Sequence, residues 1–127
     1  MAETAGRRSV LVVDDEPLNR DLLRRFLGRD FDVLEAEDAM AALALLGERS
    51  VDVVICDHLM PGRSGTELAH DIRARWPDLA VLLLTGYDDA PEVEAAVRDG
   101  AILEVIAKPW AAARLRASVA KAMAGKV

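Results

Sequence analysis

Three aspartates, one threonine and one lysine carry the chemistry legible in this chain. Asp14 and Asp15 form an adjacent pair, Asp57 follows the apolar run Val53–Cys56, Thr85 follows Ala80–Leu84, and Lys108 precedes Pro109. Each stands where an apolar run stops. Aspartate is depleted in strands and costly to bury ionised, so a carboxylate at the end of VVIC needs a compensating partner. Carboxylates gathered in one place repel one another, and the cheapest relief is a proton or a bound cation. Oxygen ligands favour a hard ion, and Mg2+ keeps several waters while leaving a place for a phosphate oxygen, which points to phosphoryl chemistry. Lys108 supplies a fixed positive charge for an anionic group, Thr85 a hydrogen bond, and Gly86 lets a ligand approach the backbone closely.

The elements that must bring these residues together alternate along the chain. Short apolar runs recur at Ser9–Val13, Asp32–Glu35, Val51–Cys56, Ala80–Thr85 and Leu103–Ala107, each followed by a segment with helical spacing. That alternation predicts a parallel sheet with helices on its faces. The first helix should carry Leu18, Leu22, Leu23, Phe26 and Leu27 on one face and end at Gly28; the second should use Leu43, Leu45 and Leu46 and end at Gly47. The third should turn Leu68 and Ile72 inward and stop before Pro77. The fourth should start near Pro91, use Val93, Ala96 and Val97, and end at Gly100. The fifth should bury Leu115, Val119 and Met123. Ligands of an open parallel sheet bind beyond the carboxyl ends of its strands, so these strand-end residues should converge on one edge.

Bulk composition narrows the function. At 127 residues the chain fits one domain, and a hydrophobic fraction of 52% suffices for a core. Sixteen basic against 22 acidic residues leave a net charge of −6, which disfavours a phosphate-backbone binding surface and argues against direct nucleic-acid binding. The single cysteine, Cys56, lies inside an apolar run and reads as a small core residue in a reducing compartment. No signal peptide is visible and no segment approaches a membrane span, so a soluble cytoplasmic protein is expected. MAETAGRR reads as a natural start. The expected division is a short extension over residues 1–8, one domain over 9–124 and a tail over 125–127.

LVVDDEP, CDHLMPGRSG, LLLTGY and AKPW resemble, in order and spacing, the motifs of the response regulator receiver domain, the phosphoacceptor half of two-component signalling. The resemblance covers nearly the whole chain. It implies an α/β, flavodoxin-like (βα)5 doubly wound sandwich with five parallel strands in the order 2-1-3-4-5. It also implies that Asp57 takes a phosphoryl group from a phosphohistidine on a sensor histidine kinase or phosphotransfer protein. By the same resemblance Asp15 and Asp57 ligate Mg2+, the Leu59 carbonyl is a third protein ligand, and Asp14 helps through water. Lys108 would pair with Asp57 or its phosphoryl oxygens, while Thr85 would move to bond the phosphoryl group and draw its loop along. The domain would catalyse only its own phosphorylation and dephosphorylation. A downstream protein or a missing output domain would read the switch, and a homodimer formed on phosphorylation is compatible with it.

The chain departs from the family at one switch position. Many receivers carry an aromatic three residues before the lysine, where this sequence has Val105; Tyr87 and Trp110 are the alternative aromatic switch candidates. GAILEVIAKPW resembles a KPW subgroup whose members are often attached to output enzymes or kinases. A haloacid-dehalogenase-like phosphatase is the rival enzyme, but VVDDEP lacks its DxDx(T/V) pattern. A dinucleotide-binding role lacks GxGxxG and GxxxxGK. A docking-only receiver is disfavoured by the intact Asp14, Asp15, Asp57, Thr85 and Lys108 set. His58 is expected as a solvent-side loop residue, His70 as surface polar, and Trp76 as packing or capping a helix end.

Overall fold

The computed structural model describes residues 7–86 and 90–124. Five strands and five helices alternate strictly: β1 Ser9–Val13, α1 Pro17–Leu27, β2 Asp32–Ala36, α2 Ala39–Glu48, β3 Val53–Asp57, α3 Gly65–Arg75, β4 Ala80–Thr85, α4 Pro91–Arg98, β5 Glu104–Ala107 and α5 Ala112–Ala124. All pairings are parallel, in the order β2-β1-β3-β4-β5. The expected order is therefore observed. Among the described residues no helix is long and apolar enough to cross a membrane.

Strand side chains alternate between two cores because the strand repeat is two residues. Leu11, Val13, Val54, Cys56 and Leu83 join Leu68, Ile72 and Val93 on the face covered by α2, α3 and α4. Val10, Val12, Val53, Ile55, Leu82 and Leu84 join Leu23, Leu27, Leu115 and Val119 beneath α1 and α5. Burial on both faces explains why β3 reads as a continuous apolar run. Each fully buried Leu or Ile contributes roughly 1.5–3 kcal/mol over its exposed state.

Three helix expectations are corrected. In α1 only Leu23 and Leu27 are buried, whereas Leu18 is 80% and Leu22 44% exposed. At about 100° per residue, the Leu18–Leu22–Phe26 stripe lies beside the Leu23–Leu27 stripe and outside the sheet contact. Gly47 does not end α2: the helix runs to Glu48, with the Arg49 N–H donating to the Leu45 carbonyl, and Gly47 lacks the positive φ of a glycine stop. Val97 of α4 is exposed, leaving Val93 and Ala96 as its buried positions. Gly100, with φ +89°, does terminate α4 as expected, and Leu115, Val119 and Met123 are buried in α5. The third helix has the strongest start: Ser64 accepts from the Glu67 N–H at 3.2 Å, and the Glu67 carboxylate accepts from the Ser64 N–H at 2.8 Å.

Candidate functional site

Strand order places the carboxyl ends of β1, β3, β4 and β5 along one edge, and the chemistry-bearing residues follow. Asp57 is the last residue of β3 and only 6% exposed. The two-residue alternation turns it to the side of Ile55, and Lys108, two residues after Ile106, meets it there: Lys108 Nζ donates to Asp57 Oδ1. The Lys108 N–H donates to the Thr85 carbonyl at 3.0 Å, tying β4 to the β5 exit. Thr85 ends β4 and is 2% exposed. The Lys108–Pro109 peptide is cis. Asp57, Leu59, Thr85, Gly86 and Lys108 line a cleft of about 300 Å³.

Asp14 and Asp15 leave β1 beside this cleft. Asp14 is 2% exposed, while Asp15 is open to solvent. Carboxylate oxygens of Asp14, Asp15 and Asp57 lie within 4.8 Å of one another. Burial raises the Asp14 pKa above its ordinary value, and the neighbouring Asp57 and Asp15 charges push the same way; the Glu16 N–H, donating to Asp14 Oδ1 at 2.9 Å, and Lys108 oppose them. Its backbone is fixed on both sides. The Asp14 N–H donates to the Ala36 carbonyl at 3.1 Å, and Arg20, itself held by Glu35 Oε1 at 3.2 Å, donates to the Asp14 carbonyl at 2.6 Å.

A donor set of carboxylate oxygens, strained by like charges and open to solvent on the Asp15 side, fits a hard divalent cation such as Mg2+ better than a soft one. A cation at that point also offsets the burial and the like charges that raise the Asp14 pKa. The cluster is thus chemically suited to hold an anionic oxygen beside a carboxylate nucleophile.

Not every expected site residue joins this cluster. Val105 pairs in register with Leu83 and packs, half-buried, against the α2–α4 core, away from the Asp57 face. Trp110 is half-buried and stands edge-on to Phe26, with ring centroids 5.6 Å apart. Tyr87 lies outside the described residues. Leu59, by contrast, lines the cleft, with its side chain largely exposed. Cys56 is buried, its thiol pushed up to about 12 by burial and the Asp57 charge, as suits an inert core residue. Trp76 caps α3, its N–H donating to the Ile72 carbonyl at 2.6 Å while it packs on the core. His70 is at the surface but bonded to Asp99 at 2.8 Å.

His58 contradicts the solvent-side expectation. It is 3% exposed, and its Nε2 lies 3.2 Å from Glu92 Oε2 at the start of α4. The physical reason is the strand alternation carried one residue past β3: if Asp57 faces α1 and α5, the next side chain faces α4. Sequence reading also missed Gly65, whose absent Cβ would strike the Asp57 carbonyl, Leu83 Cδ1 at 2.6 Å and His58 Cα at 2.9 Å. Its signal was available. Ser64 and Glu67 mark a helix start, and a glycine at the first helical position just after the Asp57 turn indicates close backbone approach.

The family model described as "Response regulator receiver domain" matches residues 10–120. The hydrogenase transcriptional regulatory protein HoxA of Cupriavidus necator is 42% identical over 102 residues, covering 80% of this chain and 21% of the relative. The C4-dicarboxylate transport transcriptional regulatory protein DctD of Rhizobium meliloti is 39% identical over 115 residues, covering 90% of this chain and 25% of that protein. The chain thus spans about a fifth to a quarter of the length of these curated relatives. Among solved structures, a response regulator receiver domain protein from Clostridium thermocellum superposes with a TM-score of 0.88 at 32% identity, covering 94% of this chain and 96% of that one. The response regulator TrrA of Thermotoga maritima, solved in complex with Mg(2+)-BeF, gives a TM-score of 0.82 at 34% identity, covering 91% and 98%.

Proposed function

The chain belongs to the response regulator receiver family, and from that premise we propose that Asp57 is its phosphoacceptor, receiving the phosphoryl group of a phosphohistidine on a histidine kinase or phosphotransfer protein. A carboxylate oxygen of Asp57 bonds to phosphorus as the phosphorus–nitrogen bond of the phosphoimidazole breaks, and the released imidazole takes up a proton. The observation that carries this reading is the joint placement of Asp57 against Lys108 with Asp14 and Asp15 at one strand edge.

Asp14, Asp15, Asp57 and the Leu59 carbonyl are the proposed Mg2+ ligands, Asp14 through water. When bound, Mg2+ supplies charge neutralisation and alignment of the phosphoryl oxygens. Lys108 balances the acceptor charge before transfer and the phosphoryl charge after it. Thr85 then bonds the phosphoryl group and biases a two-state equilibrium read by a downstream protein or output domain, with a homodimer as one form of that readout. Phosphoryl transfer requires little covalent help and much positioning, so self-phosphorylation needs no further catalytic group. The reading places the protein in the cytoplasm, where the kinase acts.

The incoming partner has an apolar face to meet. Exposed Leu22 lines a groove of about 490 Å³ that runs past Asn19, Phe26 and Trp110 to Asp14 and Lys108, and Leu18, one turn earlier on α1, is exposed as well. We assign this face to the phosphodonor because it ends at the acceptor cluster.

Intact mass after incubation with Mg2+ and acetyl phosphate tests the reading. Wild type should gain about 80 Da, one phosphoryl group, only when Mg2+ is present. Asp57→Asn should gain nothing. A gain that survives in Asp57→Asn would remove Asp57 from the acceptor role.

A further inference from the structure

Both histidines of the chain are engaged by one helix. At the start of α4, Glu92 Oε2 lies 3.2 Å from His58 Nε2. At its end, Asp99 Oδ2 lies 2.8 Å from His70 Nε2, and Arg73 donates to the Asp99 carbonyl. His70 is itself fixed on α3, its Nδ1 lying 2.9 Å from the Thr66 carbonyl of the preceding turn. The helix is therefore pinned at each end to a different neighbour.

An element this short needs such pinning. With eight residues α4 is well under the ~12–15 at which an isolated helix becomes even marginal, and its fully buried side chains are Val93 and Ala96. Its N-cap, Ala90, makes no side-chain capping bond. Contacts from outside must fix where it sits.

His58 suits this task for a chemical reason. Its Nδ1 is buried with no hydrogen-bond partner among the described residues, so the tautomer with its proton on Nε2 is favoured. That tautomer donates to Glu92 and leaves a lone pair, rather than an unmet N–H, inside. The backbone on either side is also tied down: the His58 N–H donates to the Leu84 carbonyl at 3.0 Å, and the Gly65 N–H donates to the His58 carbonyl at 2.8 Å. The imidazole thus projects from a rigid point, one residue past Asp57, to the first turn of α4.

We propose that His58 and His70 are positioning residues that clamp the two ends of α4, His58 joining its first turn directly to the turn that carries Asp57. The consequence for switching rests on the function proposed above. Five residues separate Thr85 from α4 along the chain, and a shift of Thr85 toward a phosphoryl group is one that the helix either follows or resists. The His58–Glu92 bond decides how far α4 follows, because it holds the helix to the acceptor strand rather than to β4 alone.

Amide hydrogen exchange on the unphosphorylated, Mg2+-free protein tests the clamp without relying on phosphorylation, so a failure of the acceptor reading leaves the result interpretable. Glu92→Ala should speed exchange in α4 roughly two- to fivefold, the scale of a charge-assisted hydrogen bond to a partly exposed partner. Glu92→Gln keeps an acceptor for His58 and should stay near wild type. His58→Leu, which spares the bond from the Glu92 N–H to its own carboxylate, should speed exchange as Glu92→Ala does, and a wild-type rate there would overturn the clamp. Glu94→Ala removes a charge from the same first turn, and so the same favourable dipole interaction, with no bond to His58. It should also stay near wild type. His70→Leu leaves the Asp99 bond to the Ala101 N–H in place and should loosen the last turn of α4 alone. The clamp is overturned if Glu92→Ala matches Glu94→Ala, if Glu92→Gln behaves like Glu92→Ala, or if His70→Leu leaves the last turn unchanged.

Discussion

Replacing Asp14 by Asn should make the protein more stable in the absence of divalent cations and far less responsive to Mg2+. The carboxylate oxygens of Asp14, Asp15 and Asp57 lie within 4.8 Å of one another. Two unit charges at that separation repel by about 3 kcal/mol at an effective dielectric of ~20. Lys108 offsets much of the Asp57 charge and solvent screens Asp15, so relief of about 1–2 kcal/mol is expected from removing the Asp14 charge. Asn keeps the size of the side chain and an oxygen to accept the Glu16 N–H. Thermal unfolding followed by circular dichroism in EDTA should then show Asp14→Asn melting roughly 4–8 °C above wild type. Saturating Mg2+ should reverse the order, since a ligand at a hundred times its Kd adds about 2.7 kcal/mol to the form that binds it. The pH dependence has a definite sign. The folded-state pKa of Asp14 is raised, first by burial, so the contribution of its protonated form is complete below its unfolded value and lost as pH rises through the folded value. The advantage of Asp14→Asn in EDTA should therefore open across that window and level off above it. A variant that melts below wild type in EDTA at neutral pH, or that gains as much from Mg2+ as wild type, would refute the frustrated-cluster reasoning.

Three further outcomes follow from local geometry. Gly65→Ala, whose Cβ meets the Asp57 carbonyl and Leu83 Cδ1, should cost roughly 2–3 kcal/mol in denaturant unfolding, whereas Gly47→Ala, in open space within α2, should gain about 0.5–1 kcal/mol. The Cys56 thiol, buried and pushed up to about 12, should resist a disulfide reagent in the native protein and react after unfolding in guanidinium; rapid native labelling would contradict its packing. The His70 pKa is raised above its ordinary value, chiefly by its bond to Asp99, and that of Asp99 is lowered, chiefly by the same bond. The His70 contribution to stability should be full below its unfolded pKa and fade as pH rises through the folded one, while that of Asp99 fades as pH falls through its own. Imidazole proton shifts should show the His70 titration returning toward its ordinary value in Asp99→Asn.

Sheet order and site convergence were legible because they rest on signals that act over short distances: apolar runs, helix stops and the residue type at each strand end. Asp57 and Lys108 meet because each continues the two-residue alternation of its strand on the same face. What escaped the sequence depended on which side of an element meets which neighbour. Leu18 and Leu22 look like core residues by spacing, yet the sheet contacts only the stripe of Leu23 and Leu27. Gly47 looks like a helix stop, but nothing forces its backbone left-handed, so α2 runs through it. His58 looked like a loop residue because its partner, Glu92, is thirty-four positions away, and only the packing of α4 over β3 brings them together.

The same alternation gives the strand end two outputs. On the α1 and α5 side, Asp57 is compensated by Lys108 and borders the cleft that Thr85 closes. On the opposite side, His58 binds α4. A phosphoryl group adds about −1.5 to −2 charges to a site that already holds more acid than base. Under the proposed function the strongest immediate effects fall on Lys108 and Thr85, the groups that line its cleft. The α4 side feels the change through the backbone of a single residue, held between the Leu84 carbonyl and the Gly65 N–H. Because those bonds belong to the sheet and to the start of α3, the His58 backbone resists displacement while Thr85 is drawn in. The helix is then restrained through Glu92, so the energy separating its two positions depends on the His58–Glu92 bond as well as on contacts to the phosphoryl group.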